Sequence, residues 1–285
     1  MDWDACFIDR APALAAYAHV AEPLRLCRRW PDLTFLQSMC DERGIMNARG
    51  VPLRLVSERS DKAYEARIYA EAEMHVRQGL WHDLFNLLAW LAFPETKAAL
   101  NARHCERGDA DPPTLHPPRV SRSRVRDALT LLDENGAIVA SSDAGLLDLV
   151  RVFEWKQLFW HQRARLLRSM QVFTIGHGLA EKALAPYIGL CAHSVLLAVP
   201  ADFHCLRRAQ QVTAIDALAA RLVRRGDSFV TPQALAPLPV LGMPGWWPDN
   251  AHESFYDNVA YFRTGRRAQT ERTSSESCIR KRNRT

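Results

Sequence analysis

The stretch WHDLFNLLAWLAF, Trp81 to Phe93, decides how the rest of the chain is read. On a helical wheel of 3.6 residues per turn, every position is apolar except His82, Asp83 and Asn86, which share an arc of roughly 100°. That arc holds no Lys, Glu, Arg or Gln, the long residues that stock a solvated face, so the helix reads as buried all round. A buried imidazole, amide and carboxylate need hydrogen-bond partners, and the apolar neighbours within the helix supply none. The partners must come from elsewhere in the chain or from a ligand.

Outward from this helix, Pro94 breaks it and opens a second, ETKAALNARHCER, with Glu95 near its start, Arg103 and Arg107 near its end and Gly108 as its stop. Along it, Lys97, Asn101 and His104 share a face, which either extends the polar stripe or meets water. Solvent is the expectation for Lys97. Further on, DALTLLDENGAIVAS places an Asn135-Gly136 turn between two apolar runs and predicts a β-hairpin over Leu129 to Ser141, with Asp133 and Glu134 at its tip and Asp127 at the start of its first strand. MQVFTI reads as a strand leading into Gly176-His177-Gly178 and a short helix on which His177 and Glu181 stand four apart, the spacing of one helix face. Strand, glycine, histidine, helix holds a side chain rigidly at a tight turn.

The remaining segments frame these. Residues 1–44 predict a helical preface in which Asp32 caps a helix that Gly44 closes. VPLRLVS alternates like a strand, Ala63 to Arg77 fits either helix or strand, and Asp143 to about Arg168 is helical with an aromatic load. Asp109 to Pro118 is a proline-rich loop followed by a short basic run. GLCAHSVLLAVP is a buried strand in which His193 reads as a core residue, and Leu206 to Arg225 is an amphipathic helix. The five prolines and paired tryptophans of Thr231 to Pro248 predict an extended strap, and Phe255 to Phe262 is compatible with a closing strand. The fold class is therefore α+β, a mostly helical single domain over 45–263 with one small sheet, followed by a polar basic tail, 264–285, expected to be disordered.

Composition narrows the function. The net charge of +5 belongs to the tail: removing its seven basic and two acidic residues from the 37 and 32 of the whole chain leaves 30 of each. A charge-neutral body gives no support to nucleic-acid binding. Seven scattered cysteines without a CxxC pair argue against disulfides or a zinc ribbon and fit a reducing cytoplasm. The acidic MDWDACFIDR start does not resemble a signal peptide, and no apolar run approaches the ~18 residues of a membrane span. GxGxxG and P-loop motifs are absent, which disfavours a nucleotide fold.

The blocks WHDLFNLLAWLAFPETKAALNARH, RDALTLLDENG, IGHGLAEKALAPYIG and PLPVLGMPGWW, in this order, resemble the bacterial family known as domain of unknown function 3025 (DUF3025), over about Ile45 to Arg263. The resemblance implies a single-domain bacterial protein and brings no catalytic assignment with it.

Two readings of the polar residues follow from the sequence. In one, a non-enzymatic binding or scaffold protein, they form a satisfied internal network that fixes the packing of the central helix; a small-molecule ligand is compatible with it. In the other, a metal-dependent hydrolase, His82, His177, Glu181 and Asp133 hold a divalent ion, with Asp83, Asn86, Asp127 and Glu134 as further candidates for its chemistry; such mixed nitrogen and oxygen donors suit zinc, manganese or iron. Both require His82 to lie within side-chain reach of His177 or of Asp127, Asp133 or Glu134.

Overall fold

A computed structural model describes residues 2–106 and 124–265 of the chain. The expected proline-rich loop, the first half of the basic run after it and nearly all of the tail lie outside the described residues.

The chain begins with 3-10 turns and a short helix α1 (Ala18–Ala21), then α2 (Leu33–Arg43), capped by the Asp32 side chain on Phe35 N and closed by Gly44 at φ 59°. A small parallel pair, β1 (Arg54–Val56) and β2 (Glu73–His75), is bridged by α3 (Tyr64–Glu71), so the ambiguous stretch after Ala63 contains both element types. The central helix α4 (Trp81–Ala92) is buried at every position except His82, as its composition demands. Its neighbours include Phe7, Tyr17 and Leu24 of the N-terminal segment, which share its core, and Trp3 stacks on Trp81 with ring centroids 5.5 Å apart.

Pro94 opens α5 (Pro94–Glu106), whose first free amides are met from another element. Asp216, in the middle of α10 (Arg208–Arg224), accepts from Glu95 N at 3.0 Å and Thr96 N at 2.8 Å, so one long helix caps another.

The predicted hairpin is not formed. Residues Arg124–Asn135 are helix α6, and only the second limb, β3 (Gly136–Ser141), is a strand. Ala128, Leu129 and Leu132 bury one face of α6 at helical spacing, and Asn135-Gly136 serves as a helix-to-strand exit instead of a two-residue turn. Asp133 and Glu134 therefore stand in the last turn of a helix.

After β3 come α7 (Ala144–Arg151), a π-helical turn at Gln157–His161, α8 (Arg163–Ser169), β4 (Met170–Thr174), α9 (His177–Ala183) and β5 (Cys191–Ala198). The strap contributes β6 (Ala236–Pro239), and its Trp246 and Trp247 are half-buried against the core. Phe255 to Phe262 is not a strand: a 3-10 turn spans Glu253–Asp257.

The sheet order is β4-β3-β5-β6, with β3 antiparallel to β4 and parallel to β5, and β6 antiparallel to β5 at the edge. Prolines 237 and 239 are tolerated there because an edge strand need not donate on its outer side. Alternate residues of β3 enter opposite cores: Ile138 and Ala140 face the α4 side, Ala137 and Val139 the α7 side. The two cores are thus the two faces of one sheet, in one α+β domain. Among the described residues, no helix is long and apolar enough to cross a membrane.

Candidate functional site

α9 packs against both α4 and α6, and this three-helix contact gathers the polar residues. Two glycines permit it. A Cβ on Gly176 would lie 2.2 Å from Gly136 N and 2.7 Å from Asn135 N, and one on Gly178 would lie 2.8 Å from Glu134 Oε2. Gly176 has φ −68°, a conformation open to any residue, so the requirement is close approach rather than backbone freedom. The GHG turn is pressed onto the end of α6, and His177 is delivered beside Glu134.

The rings of His82 and His177 stand edge to face with centroids 4.6 Å apart. His82 Nδ1 lies 3.0 Å from Glu181 Oε2, so the i+4 partner of His177 on α9 serves His82 instead. His177 Nε2 is 3.4 Å from Glu134 Oε1, and its Nδ1 faces Asp133 Oδ2 at 3.6 Å, beyond hydrogen-bonding distance, so this buried nitrogen lacks a hydrogen-bond partner. One ligand atom each from His82, Glu134 and His177 lie within 4.8 Å of one another, a grouping that suits a single ion. His177 is buried, whereas the side chains of His82 and Glu134 are 37% and 38% exposed, which leaves the group open on one side.

That open side is a cleft of about 200 Å³, also lined by Tyr64, Glu65, His75, Arg77, Asp83, Asn86 and Asp133. Each further acid has a partner. Asp83 accepts from Arg77 Nε at 2.9 Å, Nη2 at 2.7 Å and the backbone N at 2.7 Å. Burial pushes its carboxyl up, but the Arg77 hydrogen bonds outweigh this and hold it below the usual range. Asp133 is paired with Lys97, which is buried, contrary to the solvent position expected of it. Burial again opposes ionisation of Asp133, and the charges of Lys97 and His177 prevail, keeping it low. The hydrogen bond with His177 holds Glu134 below its ordinary value against its own burial. Asn86 donates to Tyr64 Oη at 2.9 Å, and Asn101 reaches Glu65.

The residues anticipated from sequence thus divide. His82, His177, Glu134, Glu181, Asp133, Asp83 and Asn86 lie in or beside the cluster. Asp127 does not: with α6 helical, it sits seven residues before Glu134, about 10 Å along the axis. Sequence reasoning missed Arg77 and Tyr64, and gave Lys97 to solvent although its face, shared with Asn101 and His104, could also extend the polar stripe. Arg77 carried a signal, since it stands six residues before Asp83 at the approach to the helix; Tyr64 carried none beyond its type.

A family model described as "Protein of unknown function (DUF3025)" matches residues 53–266. The chain belongs to this family. No curated protein and no solved structure matches the chain. The match begins just before β1 and takes in every residue of the cluster, leaving α1 and α2 outside it.

Proposed function

We propose that this DUF3025 protein binds one divalent transition-metal ion on His82, His177 and Glu134, and that it is a metal-dependent hydrolase. The observation that carries the reading is the carboxylate placed behind each imidazole: Glu181 on Nδ1 of His82, Asp133 facing Nδ1 of His177. The Glu181 hydrogen bond fixes the ring of His82 and raises its basicity, Asp133 stands 3.6 Å from His177 Nδ1 without yet bonding it, and Nε2 of each ring is left for an ion. Glu134 supplies the third donor. Two histidines and a carboxylate leave coordination positions for water, whose pKa an ion of this kind lowers toward neutrality. In hydrolysis the water oxygen bonds to the electrophilic carbon and the bond to the leaving group breaks. The proton released from the water would pass to that group.

The scaffold reading is favoured by a different observation, the Lys97–Asp133 and Asn86–Tyr64 pairs, which tie α5 to α6 and α3 to α4 without any ion. His82→Ala separates the two. Under the metal reading the wild type takes up one equivalent of zinc or manganese by elemental analysis after dialysis, and the variant loses at least about tenfold in affinity while its metal-free melting temperature stays within a few degrees. A wild type that takes up no ion, with a variant that only melts earlier, would overturn the metal reading in favour of the scaffold.

A further inference from the structure

The cleft is acidic except at one point. Glu65, Asp83, Asp133 and Glu134 line it, and Arg77 is the single lysine or arginine among its described lining residues. Arg77 is held in place: its backbone N, Nε and Nη2 all go to Asp83, whose side chain is 7% exposed and whose carboxylate grips the guanidinium as a fork. Its Nη1 makes no hydrogen bond among the described residues, and the side chain is 46% exposed. An oriented guanidinium with one edge occupied and N–H groups to spare on a side chain lining a cleft is a preformed donor for a carboxylate, and it stays charged at any working pH. Asp83 follows His82 directly in α4, so the anchor of this cation and a proposed metal ligand are fixed by a single helix step.

We propose that Arg77 is the substrate-positioning residue of this cleft, and that the substrate is a small molecule with one carboxylate, seated on Arg77 while its reacting group lies at the His82–His177–Glu134 end. The proposal rests on the metal reading above. Charge argues against more than one. Glu65, Asp83, Asp133, Glu134 and Glu181 against Arg77, Lys97 and a divalent ion already leave one net negative charge, so a phosphate bearing two is repelled more strongly than a single carboxylate held on the Arg77 fork. The cleft's volume, about 200 Å³, lies below the range of drug-sized sites and fits a small metabolite.

Zinc-loaded protein is titrated calorimetrically with propionohydroxamic acid, with succinic acid monohydroxamate, which adds only a carboxylate, and with the matching phosphonate. The expected result is at least about tenfold tighter binding of the succinate compound than of the propionate one, the scale of one charge-assisted contact. The phosphonate should bind more weakly than the succinate compound. In Arg77→Gln the preference should fall to about one with propionohydroxamate affinity unchanged; Arg77→Lys, which keeps the charge beside Asp83 and so guards against misfolding, should retain only part of it. Equal affinities in the wild type, a preference that survives Arg77→Gln, tighter phosphonate binding, or no hydroxamate binding to zinc-loaded protein would each overturn the proposal. Zinc uptake, read before any hydroxamate is added, reports on the metal reading alone. Were it absent, binding of succinate to metal-free protein, lost in Arg77→Gln, would still support the Arg77 end, and no such binding would overturn it.

Discussion

Gly176→Ala tests the close contact on which the site is built. The added methyl would meet Gly136 N at 2.2 Å, Asn135 N at 2.7 Å and the Glu134 carbonyl carbon at 2.7 Å, all backbone atoms of the α6-to-β3 exit. Relief to ordinary contact requires the GHG turn and the end of α6 to part by about 1 Å, because no side chain stands between them to rotate away. Overpacking of this kind costs roughly 1–3 kcal/mol where side chains yield, and a clash of backbone with backbone belongs at or above the top of that range. Against a typical total of about 5–15 kcal/mol, a loss of about 3 kcal/mol or more is readily measured. Gly178→Ala provides a graded control, since its nearest contact, at 2.8 Å, is the mobile carboxylate end of Glu134, with the Glu134 backbone oxygen next at 3.0 Å. It should cost about 1 kcal/mol while displacing the proposed metal donor, so zinc affinity falls more than stability does. Urea denaturation gives the first quantity and zinc calorimetry the second. A Gly176→Ala protein within about 0.5 kcal/mol of wild type would refute the close-approach argument, and a Gly178→Ala protein with unchanged zinc affinity would detach Glu134 from the metal.

Lys97→Met strands a carboxylate that is mostly buried, and should cost about 3–5 kcal/mol in urea denaturation, whereas the double change with Asp133→Asn should recover much of that loss; additive costs would show that the pair does not couple. Acid stability offers a test remote from the cleft. Asp143 caps α7 and is held below the ordinary aspartate value of ~3.9 chiefly by its hydrogen bonds with Arg165, against the opposing effect of burial. A depressed carboxyl contributes stability that is fully present above the unfolded value and is lost as pH falls through the folded one. Asp143→Asn should therefore narrow the stability gap to wild type as pH drops below about 4, and a gap that stays constant from pH 6 to pH 2 would count against the pairing.

The sequence made the central helix legible through what it lacked. An arc of His82, Asp83 and Asn86 without long charged residues points to burial, and α4 is buried at every position but His82, which opens on the cleft. The GHG segment was legible as a strand-to-helix turn that holds His177, but its glycines read as a tight bend, whereas the structure uses them for close approach to the end of α6. That partner was obscured at Asn135-Gly136, where turn chemistry favoured a hairpin while Ala128, Leu129 and Leu132 carried a helical period. A strand would have turned Asp133 and Glu134 to opposite faces; the helix turns both toward α9, which is why both meet His177. Asp127 follows the same logic in reverse, since seven residues of helix place it two turns below the cluster.

Partners lay beyond the reach of pattern. Lys97 and Asp133 are 36 residues apart, His82 and Glu181 are 99 apart, and only the packing of α9 between α4 and α6 joins them. The arrangement that results has a direction. Lys97 and Asp133 stand behind His177, Glu181 stands beside His82, and Glu134 lies before both rings. A network whose sole purpose was to hold helices together would gain nothing from turning His82 and Glu134 to a cleft, and would lose about 1–3 kcal/mol by leaving the buried His177 Nδ1 without a hydrogen bond. An ion at the three front atoms would use the donors that face the cleft, with Glu181 already bonded to His82 to steady its ring.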